Sequence, residues 1–261
     1  MNALKSALYP LVTLAVVIAV WAFFTRPGAG LPSYLLPPPA AVFTALYNGL
    51  VDGSYWPHIR YTLTSTLTGY VIGSVLAVIV GVFIAESATV EKFVFPFIVA
   101  VQSMPKVALA PLILVWFGFG LASKIVLVAL ICFFPLLVNT IVGIRRADPE
   151  LVEMCRSFNR SRAFIFLNVK LPSAASSIFA GLQIGIVLAL IGAVVGEFIA
   201  AEQGVGYLIG SATVNMSTST MFAGVLILAV IGMAGSSLMR FIQRRAVFWE
   251  GARDDLPSGE V

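Results

Sequence analysis

Residues 145–172 read RRADPELVEMCRSFNRSRAFIFLNVKLP, the longest polar interruption in a chain otherwise made of apolar runs. Its first half specifies a helix at both ends. Asp148 stands at an N-cap position, Pro149 fits the first helical residue, and Glu150 and Glu153 lie in the first turns, where the helix dipole favours negative charge. Leu151, Met154, Cys155 and Phe158 then fall at i, i+3, i+4 and i+7, so the spacing predicts one apolar face. Asn159 stands where a left-handed residue would end the helix. A short helix of this kind, set in a basic loop, calls for a partner.

Composition says what surrounds the loop. Of 261 residues 59% are hydrophobic and only 11% charged, and mean hydropathy is +0.99, which excludes an ordinary soluble domain and implies an integral membrane protein. The net charge of +4 does not signal nucleic acid, because the cations collect between apolar runs without an aromatic-basic binding pattern. Cys132 lies in an apolar run and Cys155 in the loop, so neither belongs to a disulfide framework. Both read as packing residues.

Working outward from the loop, the expected fold is all-α with six membrane spans, at about 6–25, 61–85, 93–117, 125–144, 171–196 and 219–239, in a single domain over 1–250. Residues 251–261 read as a flexible cytoplasmic tail. Between the first two spans, Phe43, Leu46, Tyr47 and Leu50 suggest an interfacial helix, and Tyr55 and Trp56 mark the membrane boundary. Gly69, Gly73, Ala77, Gly81 and Ala85 recur every fourth residue, as do Gly181, Gly185, Ala189 and Ala193, and the two small-residue stripes are expected to pack together. The third span carries Pro96, Pro105 and Pro111 and reads as irregular.

Polar residues within or beside the spans are candidates for a substrate path. Met104, Pro105 and Lys106 mark the broken third span; Lys106 either lines the path, snorkels to the cytoplasmic interface, or sits at a breakpoint near the surface. Asn139 is expected to hydrogen-bond between helices, with a pore role as the alternative. Glu197, at the end of the fifth span, either shapes the mouth of the path or is solvated or capped by loop amides. A periplasmic loop or shallow re-entrant hairpin is expected after it. His58, beside Trp56 and Pro57, reads as an interface residue.

Charge fixes the expected orientation. Twelve cations fall on one side (Lys5, Lys92, Arg145, Arg146, Arg156, Arg160, Arg162, Lys170, Arg240, Arg244, Arg245, Arg253) and Arg26, Arg60 and Lys124 on the other. The positive side is cytoplasmic, which places both termini and the 145–172 loop inside.

The spacing of Glu153-Met154-Cys155, position 159 and Leu171-Pro172 resembles the EAA loop of binding-protein-dependent ABC importer permeases, in which Glu-Ala-Ala is followed by Gly and then by Leu-Pro. Met154 and Cys155 replace the two alanines and Asn159 replaces the glycine. LLPPPAAVF, LAPLILVWFGFGLASKI and GEFIAAEQGVGYLI extend the resemblance, to the nitrate, sulfonate and taurine branch with a type I importer fold. This implies a homodimer in the bacterial inner membrane, two cytoplasmic ATPases docked through the loop, and an extracytoplasmic binding protein that delivers a small polar or anionic solute, pyrimidine precursors included. Glu153 would orient the loop, Asn159 would permit its turn, Leu171-Pro172 would start the fifth span, and Met154, Cys155 and Phe158 would fill a groove in the ATPase.

No G-x-x-x-x-G-K-[ST] loop occurs, so ATP and Mg would be bound by the partner, with no cofactor in this chain. HExxH, Cys-x-x-Cys and the nucleophile elbow are also missing, so no catalytic or metal residue is assigned. A self-contained ion-coupled secondary transporter or channel built on Lys106 and Glu197 is the alternative. A non-transporting scaffold would need neither the broken span nor the mid-span charge.

Overall fold

The computed structural model describes residues 2–26 and 32–249, so the proposed tail lies outside the described residues. Those residues contain helices and turns and no strand. In chain order the helices are α1 (Asn2–Phe24), α2 (Pro39–Val51), α3 (Trp56–Glu86), α4 (Ala88–Ser103), a 3-10 turn (Lys106–Leu109), α5 (Ala110–Phe117), α6 (Leu121–Arg145), α7 (Pro149–Ser157), α8 (Arg162–Ile165), a π turn (Phe166–Lys170), α9 (Leu171–Ala200), α10 (Val205–Val214) and α11 (Thr218–Ala246). Four helical runs, Trp56–Glu86, Leu121–Arg145, Arg162–Ala200 and Thr218–Ala246, are long and apolar enough to cross a membrane. The pair Thr89–Ser103 and Lys106–Phe117, bent by 84°, makes a fifth if it is one span. The apolar part of α1, Leu11–Phe24, is shorter.

The chain forms two compact units, Met1–Thr62 with Glu202–Ala229, and Leu63–Ala201 with Val230–Val261. In the first, Pro39 opens α2 at a position where its missing N–H costs nothing. Trp21 Nε1 donates to Pro37 O at 3.0 Å, and the Trp21 ring stacks on Phe222. Gly49 lies against the Tyr55 ring so closely that a Cβ there would come within 2.3 Å of it. The expected loop after residue 201 holds a ten-residue helix, α10. Its N-cap, Gly204, has no side chain to accept the first free N–H groups. His58 Nδ1 takes the Gly204 N–H at 3.1 Å and Thr62 Oγ1 takes that of Val205 at 2.8 Å, so one turn of α3 caps α10.

In the second unit, α6 is the central rod. Along α3, Gly69 meets Val128, Gly73 meets Ala129 and Cys132, and Gly81 meets Thr140. The partners advance in step, so α3 and α6 run parallel. The chain between them therefore returns through the bent α4–α5 pair. On α9 the order reverses: Gly181 meets Leu136 and Asn139, Gly192 meets Ile131, and Gly196 meets Lys124, which makes α9 antiparallel to α6. The two small-residue stripes thus pack mainly onto α6 and not onto each other. Val128, Ile131, Cys132 and Leu136, all buried, supply the ridges that fill the bare grooves on both sides of α6. Gly185 lies against the Tyr70 ring of α3. Tyr70 Oη donates to Leu182 O at 3.0 Å, a direct α3–α9 tie.

One further expectation changes. Asn139 Nδ2 donates to Pro135 O on its own helix at 2.8 Å and not to another helix, because the neighbouring surface is Gly181, which has no side-chain partner. The helix α9 itself begins at Leu171, and the apolar helical run that contains it extends back to Arg162 through the π turn.

Candidate functional site: the coupling loop

The loop is built around α7, and both ends of that helix are closed by its own residues. At the start the Asp148 carboxylate accepts the Glu150 N–H at 2.9 Å, with Pro149 at the first helical position. At the end Asn159 takes φ 54°. The Arg160 N–H reaches Cys155 O at 3.0 Å and the Asn159 N–H reaches Arg156 O at 2.8 Å. This pair of bonds is a Schellman motif, and it satisfies carbonyls that a frayed end would leave open. Asparagine is the residue after glycine that best tolerates this backbone.

The capped helix buries none of its residues. Leu151 is 45% exposed, Met154 49% and Phe158, just past the helix, 73%, so the apolar face runs open along its length. Cys155 is half-buried and Glu153 exposed. A pocket of about 450 Å³ lies beside this face, walled by Leu151, Met154, Cys155, Pro172 and Trp249 among others.

After α7, Ser161 Oγ caps α8 by accepting the Phe164 N–H at 3.2 Å, and the Arg160 guanidinium sits 4.8 Å over the Phe164 ring. The Leu171 N–H then bonds Phe166 O, five residues back. Widening the helix there gives Pro172 room, since a proline ring crowds the carbonyl four residues before it. Leu171-Pro172 therefore marks a change of winding inside one continuous run.

Two ion pairs at the loop ends were not legible in sequence. Arg145 pairs with Glu91, and Lys170 with Glu86 at 2.6 Å. In sequence Glu86 and Glu91 simply separate two apolar runs, and the 84-residue separation of Lys170 from Glu86 leaves no local signal.

The candidate path residues do not converge. Met104 and Pro105 form the break between α4 and the 3-10 turn, and Lys106 opens that turn. Lys106 Nζ folds back on Gln102 O at 3.1 Å and lies 5.2 Å over the Phe134 ring, which puts it at the breakpoint. Asn139 packs beside Gly181. Glu197 is 1% exposed at the other end of α6, close to Lys124, and roughly 22 Å from Asn139 at 1.5 Å per residue along that helix. Lys124, expected at the outer surface, is fully buried, its ammonium donating to Phe119 O and Ala200 O.

Residues 69–247 match the family model of the binding-protein-dependent transport system inner membrane component. The chain belongs to this family. The permease is 35% identical over 247 residues to the riboflavin transport system permease protein RibX of Chloroflexus aurantiacus, covering 94% of this chain and 92% of that one. It is 31% identical over 238 residues to the putative aliphatic sulfonates transport permease protein SsuC of Bacillus subtilis, covering 91% and 86%. In fold it is similar to a chain of the inward-facing MetNI methionine ABC transporter, with a TM-score of 0.60, 18% identity, and coverage of 73% of this chain and 98% of that one. The permease is thus a transport component, the membrane-spanning subunit of an ABC importer.

Proposed function

We propose that the permease forms a homodimer in the bacterial cytoplasmic membrane, each copy with six spans and both termini inside, and passes a small polar or anionic solute inward. The solute is of the nitrate, sulfonate or taurine type or a pyrimidine-like ring compound, handed over by an extracytoplasmic binding protein. The relatives named for riboflavin and aliphatic sulfonates support that range. Two separate ATPase subunits bind ATP and Mg and supply the energy. The sixth span in this reading is α1, and Met104 to Lys106, at the break in the third, face the path.

One observation carries the reading: α7 is capped at both ends and leaves Leu151 and Met154 about half exposed and Phe158 73% exposed among the described residues. A helix this short is marginal in water, so its built caps and open apolar face are accounted for by a protein groove that receives it. ATP binding would draw the two ATPases together and move α7 as a rigid body, switching access of the path.

The test is co-purification from membrane extract with the candidate ATPase. Wild type is expected to retain the ATPase and Phe158→Asp to release it, while Glu153→Ala weakens retention by disturbing the orientation of the loop. Purification of the wild type without any ATPase, together with ion-gradient-driven solute movement in vesicles, would overturn the reading.

A further inference from the structure

Both ends of the coupling loop are tied to one corner of the fold. Arg145 closes α6 and pairs with Glu91 in the first turn of α4; Lys170 closes the π turn and pairs with Glu86, the last residue of α3. Glu86 and Glu91 flank Ser87, whose hydroxyl accepts the Val90 N–H and caps α4. Between these ties α7 stands off the body: a cleft of about 420 Å³ lined by Ala85, Ile144, Val152, Glu153 and Arg156, among others, runs alongside it. Force on α7 therefore leaves through the ends of the loop. The covalent ends lead only into α6 and α9, which are locked together where Gly143 lies against Ala174 and Ser177. The ion pairs add a direct tie from the loop ends to the α3–α4 corner, one to the end of α3 and one to α4; α4, whose Ile98 also shares a core with Leu137 and Ile141 of α6, ends at the Met104–Pro105 break where the helix axis turns by 84°.

We infer that Glu91–Arg145 and Glu86–Lys170 act as a yoke that hands movement of the docking helix to the α3–α4 corner and, through α4, to the broken span. The inference rests on α7 being the ATPase docking helix. A purely stabilising role is the competing account, and half-exposed ion pairs contribute little stability on their own. The two accounts differ in what breaking a pair does: loss of stability lowers the amount of folded transporter, whereas loss of the yoke leaves an assembled transporter whose break no longer answers ATP.

The experiment uses the full transporter with its ATPase in proteoliposomes, carrying a fluorophore at Met104→Cys, attached while the bound ATPase covers Cys155, so that the native docking face is kept. Added Mg-ATP with vanadate is the probe, so no solute need be known. The variants are Glu91→Arg, Arg145→Glu, Glu86→Lys, Lys170→Glu and the two charge-swapped doubles, with Phe158→Asp as the docking control. Single reversals are expected to keep the ATPase and its ATP turnover while the ATP-dependent fluorescence change at position 104 falls about fivefold or more, the lower end of ordinary coupling between sites. Each swapped double restores it. An unchanged response in the single variants, a swapped double that assembles but does not respond, or release of the ATPase by the single reversals would each overturn the yoke. Retention of the ATPase by Phe158→Asp would instead sink the docking reading, whatever the charge variants do.

Discussion

At the scale of single residues, Asn159 and Lys124 show opposite relations between sequence and structure. Asn159 sits at φ 54° because the loop must reverse after α7. Glycine adopts that backbone freely, whereas a β-branched residue pays about 1–2 kcal/mol, so Asn159→Gly is expected to hold the ATPase as well as wild type and Asn159→Val several-fold less. Pull-down of the ATPase at graded salt measures this. Lys124 counts by sequence among the few cations of the outer side, yet it is fully buried together with Glu197. Removing one member of a buried charged pair leaves the other in low dielectric, a loss of roughly 3–5 kcal/mol, while replacing both can be near neutral. Lys124→Met should therefore lower the melting temperature in detergent sharply, and Lys124→Met with Glu197→Gln should recover most of it. Equal losses in the single and double variants would show that the ammonium's bonds to Phe119 O and Ala200 O matter more than the carboxylate.

At the scale of elements, local signals were readable and distant ones were not. The cap, apolar face and stop of α7 all lie within twelve residues, so the helix could be drawn from the sequence alone. The glycine stripes announced close approach but could not say to what, and the partner proved to be α6, whose own sequence carries no special mark. The ion pairs at Glu86 and Glu91 and the capping of α10 by His58 and Thr62 depend on residues far apart in sequence, for which one chain offers no periodicity. A Cβ at Gly73 would come within 2.6 Å of Ala129 O, a backbone atom that cannot turn aside. Gly73→Ala is thus expected to force α3 from α6 at a cost of about 1–3 kcal/mol, seen as a lower melting temperature. Gly120→Ala, where nothing lies within 4 Å, is the control and should melt as wild type.

At the scale of the whole molecule, parallel α3 and α6 require the bent helix pair to carry the chain back across, which gives the broken span a topological role as well as a place for the candidate path. Which face of the permease looks inward rests on charge and on the resemblance of the loop to an ATPase-docking loop, and the native cysteines can decide it. Cys132 is fully buried in the core of the second unit, and Cys155 is half-buried beside the open pocket next to α7. A membrane-impermeant maleimide should therefore report on Cys155 only. With the coupling loop in the cytoplasm, inside-out vesicles stripped of ATPase are expected to label and right-side-out vesicles to remain blank. Adding the ATPase back should suppress labelling if, as proposed, Cys155 lies on the side of α7 that the ATPase groove receives. Labelling from the outer face would reverse the orientation drawn from the twelve cations and remove the loop from reach of any cytoplasmic motor. Labelling from inside that the ATPase leaves unchanged would keep the orientation but move the docking contact off the Leu151, Met154 and Cys155 side of α7.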